Sequence, residues 1–235
     1  MPLLLVLAAI LLAGCATPPA VESSPSGAAV TVPVASSTGW WRARFRLRQP
    51  GDGGPRWALD LLLAHRVCAP ALEAQAERIT FWRFHRRAGN DATGHQFSCL
   101  FYSDADTART VFREIRQNAL SRRLQQHGLV AALSTSDISR PSPEPGPADA
   151  SDPDWLIPLQ ETWPAYIQGV SAVWLALIER YARDHPAPAD DPEALLAAYR
   201  EIEELVNLTW RLNGKHAFLH HLNAVFGYQP LYMNY

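Results

Sequence analysis

Four arginines stand on alternate positions in Trp40-Trp41-Arg42-Ala43-Arg44-Phe45-Arg46-Leu47-Arg48, with apolar residues at 41, 43, 45 and 47 between them. Guanidinium groups grip carboxylates and phosphates in planar, two-pronged fashion, so a row of them is chemistry for holding anions. Period-2 alternation is also the pattern of a strand with one buried face. The other face would then carry like charges roughly 7 Å apart, which repel unless something acidic covers them.

Other reactive residue types are weaker candidates. His216 and His220 are four apart on an expected helix, with His221 beside them, but no third metal ligand follows at a telling spacing. Ser171 lacks a G-x-S-x-G setting, so no hydrolase is read from it. Arg86-Arg87 reads as a solvated turn. The chain has no P-loop, no Rossmann glycine fingerprint and no zinc-type cysteine spacing, so no cofactor is expected. With a net charge of −2 and a pI near 6.4, a general nucleic-acid binder is excluded, although a local basic face is not.

The beginning of the chain carries the most specific signal. Residues 3–13, LLLVLAAILLA, are too short to span a bilayer and suit a signal-peptide apolar region, although Met1-Pro2 supplies no positive charge before it. They lead into Leu12-Ala13-Gly14-Cys15, which resembles a bacterial lipobox. That resemblance implies removal of residues 1–14, acylation of Cys15 and stable anchoring by two or three chains. Ala16 after the cysteine points to the outer membrane, facing the periplasm, in a Gram-negative cell. Residues 15–38 would be the lipidated cysteine and a proline-bearing, polar tether with a reach of roughly 25 Å. In an oxidising compartment Cys68 and Cys99 are a candidate disulfide; two separate buried thiols are the competing reading.

The arginine strand must be held by a larger frame. Helical spacing over 56–76 with a break before Pro70, an aromatic strand over 79–86, a turn at 89–94 and a strand over 95–102 follow it. A long helix to about 126, stopped by Gly128, and a short strand over 129–134 complete a β-α-β-β-α-β order. This predicts an α+β chain with a ferredoxin-like half over 39–138, first and third strands adjacent, both helices on one face and the other face bare. A proline-rich linker over 139–154 leads to a helical half over 155–235, with helices at 163–184, 192–213 and 215–226; Asp191 is the expected cap of the second. The helical half is expected to pack on the bare face. Glu193, Glu201, Glu203 and Glu204 could then neutralise Arg42, Arg44, Arg46 and Arg48 internally. Alternatively, a basic-floored cleft between sheet and helices receives an anionic partner.

Residues 59–102 resemble the C-terminal domain of class I lanthipeptide dehydratases, a family that includes thiopeptide-type bacteriocin biosynthesis proteins. The residues that carry the likeness are Pro70 after a helix, Phe81-Trp82-Arg83-Phe84 on a strand and His95 opening the next. Ser171-Ala172-Val173-Trp174-Leu175 and the terminal HHLNAVFG over 220–227 extend it. The resemblance implies glutamate elimination or ring formation on a peptide, with Arg83 and His95 as functional residues and His220 near the family's helix histidine. Phe97, Cys99, Leu219 and Ala224 stand about where the family carries polar functional residues. The chain therefore reads first as a lipid-anchored envelope protein binding a peptide or protein partner through Arg42, Arg44, Arg46, Arg48, Arg83, His95 and His220, without catalysis. A peptide-modifying enzyme and a structural envelope component are the alternatives.

Overall fold

The computed structural model describes residues 37–49, 54–88, 94–186 and 191–230. The expected signal peptide, Cys15 and most of the tether lie outside the described residues, as does most of the turn at 89–94. The first strand, β1 (Thr38–Leu47), alternates as the sequence requires: Trp41, Ala43, Phe45 and Leu47 are buried while Arg46 is exposed and Arg42 and Arg44 are half-buried. With β2 (Phe81–Ala88), β3 (His95–Asp104) and β4 (Val130–Thr135), it forms an antiparallel sheet in the order β2-β3-β1-β4. First and third strands are central neighbours, and the chain is α+β as the element order predicts.

The helical stretch after β1 is divided by a proline. Helix α1 (Trp57–Leu63) passes into a π turn over Ala64–Cys68 and then α2 (Ala69–Glu73). Pro70 has no N–H and its ring crowds the carbonyl four residues back, so regular α bonding cannot continue through Arg66. The Arg66 carbonyl instead accepts from Asn118 Nδ2 at 3.1 Å. Asn118 also splits the expected long helix into α3 (Ala105–Gln117) and α4 (Ala119–Gln126), its side chain capping the second by accepting from Ser121 N at 3.0 Å. These helices and the inner sheet face enclose the core around Phe45, Phe97, Phe101, Phe112 and the leucines of α1.

The helical half comprises α5 (Ile157–Asp184), α6 (Pro192–Gly214), a π turn over Lys215–His220 and α7 (His221–Val225). Asp191 caps α6 as expected, accepting from Ala194 N at 3.0 Å. Its docking differs from expectation. Helix α6 packs on α1, and α5 packs along the edge strand β2. An edge strand has unpaired amide groups, and α5 satisfies two of them: Trp82 N donates to Gln168 Oε1 (3.2 Å) and Phe84 N to Ser171 Oγ (3.1 Å). Meeting those donors and covering the apolar face of α1 places the helices around the core side, and the arginine face of the sheet stays uncovered by them.

The proline-rich stretch does more than connect the halves. It runs past the start of β1, where Trp40 N donates to the Glu144 carbonyl and Trp40 Nε1 to that of Pro147, both at 2.9 Å. Tyr102 OH donates to the Pro145 carbonyl at 2.7 Å. A side chain at Gly39 would collide with Ser142, its Cβ falling 2.4 Å from that of Ser142, so this close crossing requires glycine.

Candidate functional site

Strand register gathers the arginines. On the open face, Arg42, Arg44 and Arg46 of β1 oppose Leu100, Ser98 and Gln96 of β3. Those same β3 residues oppose Arg83, His85 and Arg87 of β2 on their other side. Two basic rows therefore flank the middle of one sheet face, about 10 Å apart across β3. Leu100 is 1% exposed although it points away from the core, because its register sets it between the stems of Arg42 and Arg83. At one end of the face Trp40, Phe81 and Tyr102 form an aromatic cluster, with Trp40 centroids 6.5 Å from Phe81 and 5.7 Å from Tyr102.

The positive charges on this face act on one another. Burial lowers the Arg83 pKa and Arg42 lowers it further, while Glu144 works in the opposite direction. Arg83 Nε is buried without a hydrogen-bond partner among the described residues. His85 is held below the usual imidazole value by burial and then by Arg83, Arg42, Arg87 and Arg44. Glu144 of the proline-rich stretch reaches Arg42 at 3.9 Å with both side chains 36% exposed, a weak surface pair.

Several expected site residues lie elsewhere. Arg48 follows a register shift after Arg46, and its guanidinium curls over Gly128 at the turn into β4. The glutamates of α6 do not neutralise the strand: Glu193, Glu201 and Glu204 are exposed, and Glu203 faces Arg86 and Asp60. His220 lies on the terminal helical segment, its ring 5.0 Å from His216, 5.4 Å from His221 and 5.5 Å from Tyr228. Among the described residues no group of three His, Cys, Asp or Glu is placed to hold a metal ion.

His95 is on the opposite face, fully buried, with Nε2 3.0 and 3.2 Å from the carboxylate oxygens of Asp60. Arg86 is no solvated turn residue: it lies within β2 on the core side, and Nε donates to Asp60 at 2.8 Å. Its guanidinium stacks on Trp57 at 4.6 Å and Trp174 at 5.0 Å. In sequence this network has one signal, Asp60, an acid inside the apolar run ALDLLLA. Arg83 and His95, which the family resemblance would place in one centre, are thus separated by the sheet. Cys68 and Cys99, the candidate disulfide pair, are both buried and in contact with each other as free thiols; burial and the Cys99 contact push the Cys68 thiol well up.

No family model and no curated protein matches this sequence. Among solved structures the chain is similar to the one titled "Crystal structure of TsrL". The identity is 15% and the TM-score 0.37, over 81% of this chain and 49% of that one. The chain therefore spans about half the length of that structure. Among the described residues no helix is long and apolar enough to cross a membrane.

Proposed function

We propose that this is a lipid-anchored envelope protein that binds an acidic, extended segment of a peptide or protein across the open sheet face. The observation that supports it is the strand register, which sets Arg42, Arg44 and Arg46 opposite Arg83, His85 and Arg87 with β3 between them. An extended acidic segment laid along β3 would present carboxylates to both rows. The proline-rich stretch, bonded to Trp40 and Tyr102, closes that end of the face and would limit how far the segment extends. Binding of this kind needs no bond-making group, and Arg83 and His95 on opposite faces argue for a non-catalytic role over peptide elimination.

A fluorescent oligoglutamate peptide titrated into the protein tests the face. Changing Arg44 and Arg46 to Gln should weaken binding at least tenfold at low salt, and the salt dependence should fall with it. Undiminished binding by the double variant would remove the proposal. The anchor is tested separately: Cys15→Ser should abolish incorporation of labelled fatty acid, and persistent labelling would refute the lipobox reading.

A further inference from the structure

A second site lies away from the arginine face, where the π turn meets α5 and α6. A cavity of about 400 Å3 is lined there by His65, Arg66, Glu179, Arg183, His185 and Tyr199, among others. That volume suits a small metabolite rather than a polypeptide. Its polar groups come from three elements: His65 and Arg66 from the π turn, Glu179 and Arg183 from α5 with His185 just past its end, and Tyr199 from α6; two guanidiniums thus face one carboxylate. Single π turns recur where a helix must aim side chains at a ligand, and Pro70 forces one here.

The floor of the cavity is a fixed pair. His65 Nδ1 and the Tyr199 hydroxyl are 2.7 Å apart. Burial pushes the Tyr199 pKa up to about 12, with Arg66, through its charge and a hydrogen bond to the phenol, restraining the rise. The His65 pKa is lowered by burial, then by Arg66 and Arg183. A protonated phenol and a neutral imidazole give one consistent arrangement: Tyr199 donates to Nδ1, and His65 keeps its proton on Nε2 as a donor. His185 Nδ1, at 3.0 Å, is engaged by the Tyr181 carbonyl.

Among the described residues, no carboxylate lies within ion-pair distance of Arg66 or Arg183. The carbonyl end of α5 accounts for a cation at 183. It does not account for Arg66, which arrives from a different element to the same cavity. We infer that this cavity binds a small molecule bearing a carboxylate or phosphate group, gripped by Arg66 and Arg183 and oriented by the His65–Tyr199 pair. The site is independent of the arginine face: none of its residues is on the sheet.

Calorimetric titration of the full chain with inorganic phosphate and, separately, with glutarate tests this. Saturable one-to-one binding of at least one probe is expected, and which probe binds identifies the anion class. Arg183 is exposed, so Arg183→Gln should keep the melting temperature and weaken binding at least tenfold. Arg66→Gln should do the same, and the Arg44→Gln/Arg46→Gln protein should bind like the parent. Absence of saturable binding to both probes overturns the inference. So does binding that survives both Arg183→Gln and Arg66→Gln.

Discussion

Arg86 and Asp60 form a 2.8 Å ion pair in which the carboxylate is fully buried and the guanidinium side chain is 29% exposed. The pair ties β2 to α1, and the indole of Trp174 on the guanidinium draws α5 into the same contact. His95 on β3 approaches the same carboxylate, so one acid organises four elements. Removing one partner of a buried pair leaves an uncompensated charge. Asp60→Ala should therefore cost about 3–5 kcal/mol. Denaturant unfolding of Asp60→Ala, Arg86→Met and the double variant should show the double variant more stable than the sum of the single losses implies.

The open face predicts the opposite behaviour. Arg44 and Arg46 are not neutralised by the glutamates of α6, so changing both to Gln should alter stability by no more than about 0.5 kcal/mol per site. A larger loss on denaturant unfolding would mean that an internal partner covers the face.

Ser171 Oγ accepts from Phe84 N at 3.1 Å and bonds the Ile167 carbonyl at 2.9 Å. Ser171→Ala leaves the edge-strand amide without an acceptor in a buried setting, at an expected cost of about 1–3 kcal/mol. Hydrogen exchange at the Phe84 amide should accelerate at the same time. Unchanged protection there would show that α5 does not cap the strand.

The thiolate is the form of cysteine that oxidises, and burial of Cys68 beside Cys99 disfavours it. Both thiols should resist alkylation in the native protein and react on unfolding without reductant, as mapped by mass spectrometry. A requirement for reductant would show that the pair closes into a disulfide.

Tyr199 sets an alkaline limit. Its folded pKa of about 12 lies above the ordinary 10, so the folded state keeps a proton that the unfolded chain loses. Stability should be complete with respect to this group below about pH 10. It should then fall by an amount on the order of 2 kcal/mol as pH rises through about 12. Tyr199→Phe should remove that part of the decline, and one of the seven tyrosines should lag in a tyrosinate absorbance titration.

The sequence by itself determined the strand order, the α+β class and the common face of Arg42, Arg44 and Arg46. Period-2 alternation and turn spacing state which way each side chain points, and antiparallel pairing with β3 then added Arg83 from β2. The Asp191 cap and the break near Pro70 were equally local, because one side chain or one missing N–H decides them. What covers a face was not legible. Periodicity reports that a surface is buried and is silent about its partner, so the helical half was expected on the arginines. In the structure it follows the unpaired amides of β2 and the apolar side of α1. Asp60, Arg86 and His95 are 26 and 35 residues from first to second and first to third, and His65 and Tyr199 are 134 apart. Pairings at such separations depend on where whole elements pack, and only the tertiary structure decided them.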